Sequence, residues 1–199
     1  MNNKKNYEKY MSRFLEENAK INLISKNEEK FLWEKHVYDS LALELFFKKF
    51  ETSPAGKNLL DIGTGGGFPA VPLAIKYPEL HVTALDSIRK KLAAIDNISS
   101  DIKLLNLITR CDRAENLTEK YDLITSRAVA TLDKISGYAL PLLNKGGYFI
   151  AYKSKKVQEE IDSAKPVIKR LGGEIVDIIE YKLPLEEIYE RNLVVIKKK

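Results

Sequence analysis

A chain of 199 residues, 44% hydrophobic and 31% charged, can bury a sizeable core within one domain without disulfide or metal staples. Its single cysteine, Cys111, and its two histidines, His36 and His81, exclude an intrachain disulfide and a Cys/His metal centre, so no metal is expected. The net charge of +5 is compatible with a polyanionic partner and does not demand one.

The chain opens on MNNKKNYEKY, where Lys4 and Lys5 are followed by no apolar core of the secretory-leader kind. No later apolar run approaches the ~20 residues of a membrane span, and a cytoplasmic protein with no membrane association is expected. Tyr7, Tyr10, Met11, Phe14 and Leu15 recur at helical spacing. Ser25 and Glu28 stand at capping-box spacing before a second helical stretch, which is expected to run to about Phe50. ETSPAGK, with Pro54 and Gly56, reads as a connector. Residues 1–52 are thus expected to form a helical appendage, and residues 57–199 a separate α/β domain.

Beyond the connector, strands and helices alternate. NLLDIG, HVTALDS, IKLLNLITRC, YDLITS and YFIAYK read as strands, and PAVPLAIKY, IRKKLAAIDNIS, ISGYALPLL and KVQEEIDSAKPVIKRLGG as helices. EIVDIIEYKL and NLVVIKK follow as two strands with no helix between them. This order predicts a mostly parallel seven-stranded sheet with helices on both faces and an antiparallel hairpin at one edge. Lys197, Lys198 and Lys199 read as a solvated tail.

Ligands of such sheets bind beyond the carboxyl ends of the strands. There the first strand meets Asp61-Ile62-Gly63-Thr64-Gly65-Gly66-Gly67-Phe68, four glycines between a strand and a helix. No Lys-Ser or Lys-Thr follows, which excludes an ATP-binding P-loop. Gly65, Gly67 and Ala70 fit the dinucleotide pattern G-x-G-x-x-A, but two features oppose a pyrophosphate. Asp61 brings a negative charge, and Pro69 and Pro72 remove amide donors from the first helical turn. Both suit S-adenosylmethionine, which carries an ammonium and a sulfonium and no phosphate. Asp86, closing the second strand, is placed to accept ribose hydroxyls or to cap the next helix.

KINLISKNEEKFLWEKHVYDSLAL, LLDIGTGGGFPAVPLAI, LDSIRKK, DRAENL, ITSRAVATL, NKGGYFIAYK and RNLVVIKK together resemble the RsmG (GidB) methyltransferases over nearly the whole chain. Departures are small: Gly66 for a usual alanine, Ala70 for a frequent glycine, Ser154 for a common glycine, and a shortened stretch between DRAENL and YDLITSRAV. The resemblance implies a Rossmann-like class I fold. It also implies methyl transfer from S-adenosylmethionine to guanine N7 in the 530 loop of 16S ribosomal RNA, within the small ribosomal subunit. Cofactor contacts carry over to Gly63 and Phe68, with Ala114 and Glu115 flanking the adenine; Gly65 of the loop and Asp86 join them as cofactor-binding candidates from the residues themselves. Arg127, ending the fourth strand, is implied as a contact to cofactor or base and read as a substrate-positioning group. The resemblance places Asn22 and the face of His36, Asp39 and Ser40 near the pocket mouth. No obligate protein partner is evident, and a monomer is expected.

The chemistry agrees with that substrate. A cytosine carbon needs a covalent cysteine, and Cys111 has no proline-cysteine motif and reads as a buried thiol. An exocyclic amine usually meets an Asn/Asp-Pro-Pro-aromatic motif, where this chain has Ser126-Arg127-Ala128-Val129. Guanine N7 bears a lone pair and no proton, so no general base is required. Three neighbours on one helix, His36, Asp39 and Ser40, rarely make a hydrolase triad. Phe31, Leu32 and Trp33 read as packing between appendage and sheet, and Arg89, Lys90, Lys91 and Arg113 as candidates for RNA phosphate. Alternatives are the same fold acting on a small molecule or protein, a nucleotide-sensing module without catalysis, and an NAD oxidoreductase.

Overall fold

A computed structural model describes residues 2–187 and 189–199. Seven strands, β1 (Asn58–Ile62), β2 (His81–Asp86), β3 (Leu107–Cys111), β4 (Tyr121–Arg127), β5 (Leu143–Ser154), β6 (Gly173–Leu183) and β7 (Tyr189–Lys198), form one sheet in the order β3-β2-β1-β4-β5-β7-β6. The first five are parallel, as the alternation of strands and helices predicts. The antiparallel hairpin lies at the expected edge. Within it β7 runs against its neighbours and inserts between β5 and β6, so the outermost strand is β6 and the antiparallel one lies one position in.

Central strands are apolar on both sides because helices cover both faces. Leu59 and Leu60, adjacent in β1, point to opposite faces and enter two different hydrophobic clusters. One cluster packs α5 (Ala70–Lys76) and α6 (Arg89–Ile102) under the sheet, and the other packs α7 (Leu132–Ala139) and α8 (Gln158–Arg170) over it.

Residues before the connector belong to the first cluster. Tyr7, Tyr10 and Phe14 of α1 (Asn2–Ile21) are buried against α5 and α6 residues such as Val71 and Ile95, on the spacing read from the sequence. After α2 (Lys26–Glu29), the expected continuous helix is broken. A π-wound segment, Leu32–Tyr38, runs into α3 (Asp39–Leu41) and then α4 (Leu43–Lys49). Wider π winding shifts the side-chain phase, and such segments are frequent at functional sites. Here it turns His36, Val37, Asp39 and Ser40 inward. Leu32 is buried as expected, but Trp33 stays at the surface, edge-on to Tyr7, and Phe31 lies under the Lys30 and Lys35 ammonium groups.

Two further expectations are corrected. Cys111 is exposed, because β3 is an edge strand and Cys111 is its last residue. Lys197 and Lys198 are strand residues of β7. Lys197 pairs with Tyr148 of β5, and both pair with the first residues of β6, at the end of the sheet opposite the ligand crevice; the Lys198 ammonium binds the Leu171 carbonyl.

Candidate active site

Strand order reverses between β1 and β4, and a cleft of about 1000 Å³ opens at the carboxyl ends of β1, β2 and β4. Its floor is the glycine loop. Gly63 has φ +70°, and a Cβ added there would stand 2.5 Å from Val129 Cγ2; at Gly67, φ +90°, a Cβ would stand 2.8 Å from Val71 Cγ2. Both positions therefore require glycine: the first brings bare backbone to the cleft and the second lets α5 close on the loop.

Asp86 lies at the carboxyl end of β2. One carboxylate oxygen accepts the Gly65 amide at 2.9 Å, and the other accepts the Ile88 amide, ahead of α6, also at 2.9 Å. Bracing the loop and capping the helix are thus done together, and each oxygen retains a lone pair for a ligand hydroxyl. Ala114 and Glu115 line the same cleft after β3, as do the half-buried Asp112 and the exposed Arg113. Of the basic triplet at the start of α6, Lys91 reaches the cleft. Phe68 also lines the cleft but is largely buried, among Phe14 at 5.1 Å, Tyr10 at 6.4 Å and His36 at 5.0 Å.

Asp61 corrects the sequence reading. It does not line the cleft but is wholly buried beneath the loop, where Oδ1 accepts the Thr125 hydroxyl at 2.9 Å. Burial pushes its carboxyl up to about 7, against the opposing Thr125 hydroxyl. Its Oδ2 and the Thr64 hydroxyl have no hydrogen-bond partner among the described residues.

Arg127 lies on the opposite wall and is the joint between sheet and N-terminal helices. Its Nη1 donates to the Lys35 carbonyl and to Asp39 Oδ2, each at 2.9 Å; its Nη2 lies 3.0 Å from His36 Nδ1 and its guanidinium 5.2 Å from the Phe68 ring centre. Asp39 is fully buried and also accepts the Tyr181 hydroxyl at 2.6 Å. A guanidinium only donates, so His36 Nδ1 accepts and the ring proton sits on Nε2. Burial, aided by the Arg127 charge, pushes His36 down to about 4, which keeps it neutral. The Ser40 hydroxyl donates to the His36 main-chain carbonyl at 2.6 Å and not to the ring, which removes the hydrolase reading.

Glu28, Ile88, Val129 and Tyr138 also line the cleft, and the sequence reading did not single them out for it. Ile88 carried a signal, an apolar residue two positions after the strand-ending Asp86. Glu28 carried one as a capping-box acid: Ser25 Oγ donates to its Oε2 at 2.9 Å instead of capping an amide. Tyr138 carried none.

The model of the family described as rRNA small subunit methyltransferase G (GidB) matches residues 3–192. The chain belongs to that family. Relatives named ribosomal RNA small subunit methyltransferase G include one from Bacillus licheniformis, 42% identical over 96% of this chain and 81% of its own length. Another, from Staphylococcus aureus, is 38% identical over 98% of this chain and 82% of its own. Among solved structures, magnesium protoporphyrin IX methyltransferase from Synechocystis PCC 6803, determined with bound S-adenosylmethionine, superposes with a TM-score of 0.64 at 14% identity, covering 82% of this chain and 79% of that one. That likeness speaks to the fold alone, a class I methyltransferase fold. Family membership makes the chain an S-adenosylmethionine-dependent methyltransferase of ribosomal RNA.

The residues present fit this family's cofactor. Bare backbone at Gly63 and Gly65, Asp86 at the strand end, and an apolar slot between Ile88 and Ala114 form a cradle for a nucleoside. Pro69 caps α5 and Pro72 lies in its first turn, so that helix start offers few amides to a phosphate.

Proposed function

We propose that the protein methylates N7 of a guanine in the 530 loop of 16S ribosomal RNA, acting as a monomer on the small ribosomal subunit in the bacterial cytoplasm. Among the described residues no helix is long and apolar enough to cross a membrane. In this reading Gly63, Gly65, Asp86, Ile88, Ala114 and Glu115 hold the cofactor, and Phe68 supports the loop from beneath. The helical segment 1–52 and the sheet domain 57–199 act as one unit, because Arg127 of the sheet is held by Lys35, His36 and Asp39 of the helices.

One observation carries the choice of atom: the imidazole on the cleft wall, His36, is no general base at neutral pH. His36 is pushed down to about 4, its Nδ1 is occupied by Arg127, and its Nε2 is protonated. Guanine N7 has no proton to remove. The bound cofactor supplies an electrophilic methyl on a sulfonium, whose S–C electron pair stays with sulfur as the N7 lone pair forms the new bond. The chain's work is then to hold both reactants in line, which is worth ~7–11 kcal/mol of a barrier. Arg127 contributes by fixing His36 and Lys35, as a positioning residue and neither acid nor base.

The test is incubation with methyl-labelled S-adenosylmethionine and small subunits lacking their 7-methylguanosine, followed by chain cleavage at the modified base. One labelled guanine in the 530 loop is expected. Label elsewhere in the RNA, or on protein, refutes the assignment.

A further inference from the structure

A second cavity of about 520 Å³ adjoins the cofactor cleft, and the two share a wall formed by Glu28, His36, Arg127, Ala128 and Val129. Its far side carries Lys35 and Arg191, both over the Tyr189 ring, at 5.5 and 5.4 Å. A base entering this second cavity meets the cofactor cleft at that shared wall.

Two polar atoms on the wall stand out. His36 Nε2 bears the ring proton, is buried, and has no hydrogen-bond partner among the described residues. A buried donor without an acceptor is costly unless a ligand satisfies it. Beside it, 3.9 Å away, is Glu28 Oε1, while Glu28 Oε2 is held by Ser25. Desolvation raises the Glu28 carboxyl, but the Ser25 hydroxyl and the Lys35 charge help keep it below the ordinary range, so it is ionised at neutral pH. The wall therefore presents a donor and an anionic acceptor side by side.

Resting on the guanine-N7 reading above, we propose that His36 and Glu28 form the base-reading clamp of the acceptor site, His36 Nε2–H donating to guanine O6 and the Glu28 carboxylate accepting from N1–H and the 2-amino group. The order of atoms around guanine suits this pair. O6 lies between N7 and N1, so a base whose O6 meets His36 and whose N1–H meets Glu28 has N7 on the side of His36 away from Glu28, along a wall that both residues share with the cofactor cleft. Adenine fails at both points: it offers a donor at position 6 against a donor, and no N1 proton for the carboxylate. Glu28 also sets a negative charge beside a ring that becomes cationic when methylated, so the contact strengthens along the reaction. Arg127 acts through His36, occupying Nδ1 and thereby fixing the proton on Nε2.

The experiment pairs enzyme variants with an altered base. Small subunits are reconstituted with guanine or with inosine, which lacks the 2-amino group, at the target position. Methyl transfer is measured for wild type, Glu28→Ala, His36→Phe and His36→Gln, and subunit binding is measured with S-adenosylhomocysteine present. On guanine, Glu28→Ala is expected to lose roughly 10- to 100-fold in kcat/KM and about tenfold in subunit affinity, with S-adenosylmethionine affinity within about twofold of wild type. Inosine is expected to cost wild type about tenfold and Glu28→Ala less than about twofold, because the pair is already broken. His36→Phe removes the donor, and His36→Gln, whose amide N–H reaches a similar point, restores part of the loss. Should His36→Phe misfold, the Glu28 and inosine cycle decides alone, since Glu28 is half exposed. Additive losses, or Glu28→Ala at wild-type rates, overturn the clamp while leaving the guanine-N7 reading in place. A wild-type protein that labels no guanine overturns that reading and the clamp with it.

Discussion

The two walls of the cleft are built from different materials. The cofactor wall is local: Gly63 to Gly67 and Asp86 sit at the ends of two neighbouring strands, and its hydrogen bonds run from backbone amides to one carboxylate. The acceptor wall is assembled from side chains far apart in sequence, Arg127 with Asp39 and His36, and Asp39 with Tyr181. A wall of backbone tolerates change around it and not within it. A wall of buried side-chain pairs fails as a unit, because each member is the desolvation partner of the next.

The largest effect follows from that difference. Arg127→Ala leaves the buried Asp39 carboxylate with only the more distant Arg191 guanidinium, at 3.6 Å, and removing one partner of a buried pair costs up to about 3–5 kcal/mol. A urea midpoint well below wild type is expected, together with loss of methyl transfer. Arg127→Lys keeps the charge but cannot reach Asp39, Lys35 and His36 at once, and should recover only a minor part. If Arg127→Ala matched wild type in midpoint, cofactor affinity and rate, the joint between helices and sheet would not depend on this residue.

Gly63→Ala tests the other wall. A left-handed backbone costs a non-glycine residue about 1–2 kcal/mol, and the new methyl meets Val129. S-adenosylmethionine affinity, read by calorimetry, should fall about tenfold or more. Adding Val129→Ala should relieve the clash and not the backbone cost, giving partial recovery. Complete recovery would mean that the φ at this position carries no penalty.

This asymmetry also explains what the sequence disclosed. The strand-turn-helix at Gly63–Phe68 and the acid closing β2 are legible because the residues that make the wall are contiguous or one crossover apart. The family motifs added Ala114, Glu115 and Arg127, all of which line the cleft. The clustering of Arg127, His36 and Asp39 was not legible: it depends on π winding between Leu32 and Tyr38, which periodicity reads as ordinary helix. Asp61 misled for a related reason. Its place before the glycines is visible in the sequence, but whether its side chain faces ligand or core depends on the strand's pleat and on Thr125 of the neighbouring strand. Reading Cys111 as buried overlooked that a strand's order in the sheet, which decides its exposure, is a topological fact.

Asp86→Ala should have a smaller effect than Gly63→Ala. It strips acceptors from the Gly65 and Ile88 amides, and hydrogen bonds to a charged group are worth about 1.5–3 kcal/mol. Water can replace part of this at the cleft edge. Roughly tenfold weaker S-adenosylmethionine binding with a nearly unchanged urea midpoint is expected. A midpoint that fell as far as that of Arg127→Ala would place Asp86 among the structural residues.

The smallest effect is a cancellation that joins the two walls. His36 is pushed down to about 4 from an ordinary 6.5, so between these values the unfolded chain binds a proton that the folded chain does not, and stability falls as pH is lowered. Asp61 is pushed up to about 7 from 3.8, so over nearly the same window the folded chain binds the extra proton, and stability rises as pH is lowered. Each contribution has a slope of about 1.4 kcal/mol per pH unit, with opposite sign. In the cofactor-free wild type they should nearly offset each other between pH 4.5 and 6.5. Asp61→Asn should expose the His36 slope, with urea midpoints that drop on acidification relative to wild type. His36→Gln should expose the Asp61 slope, with midpoints that rise relative to wild type, and the double variant should again track wild type. Single variants that merely ran parallel to the wild-type curve would mean that neither buried group titrates as its surroundings dictate, and the neutral His36 on which the acceptor wall depends would lose its physical basis.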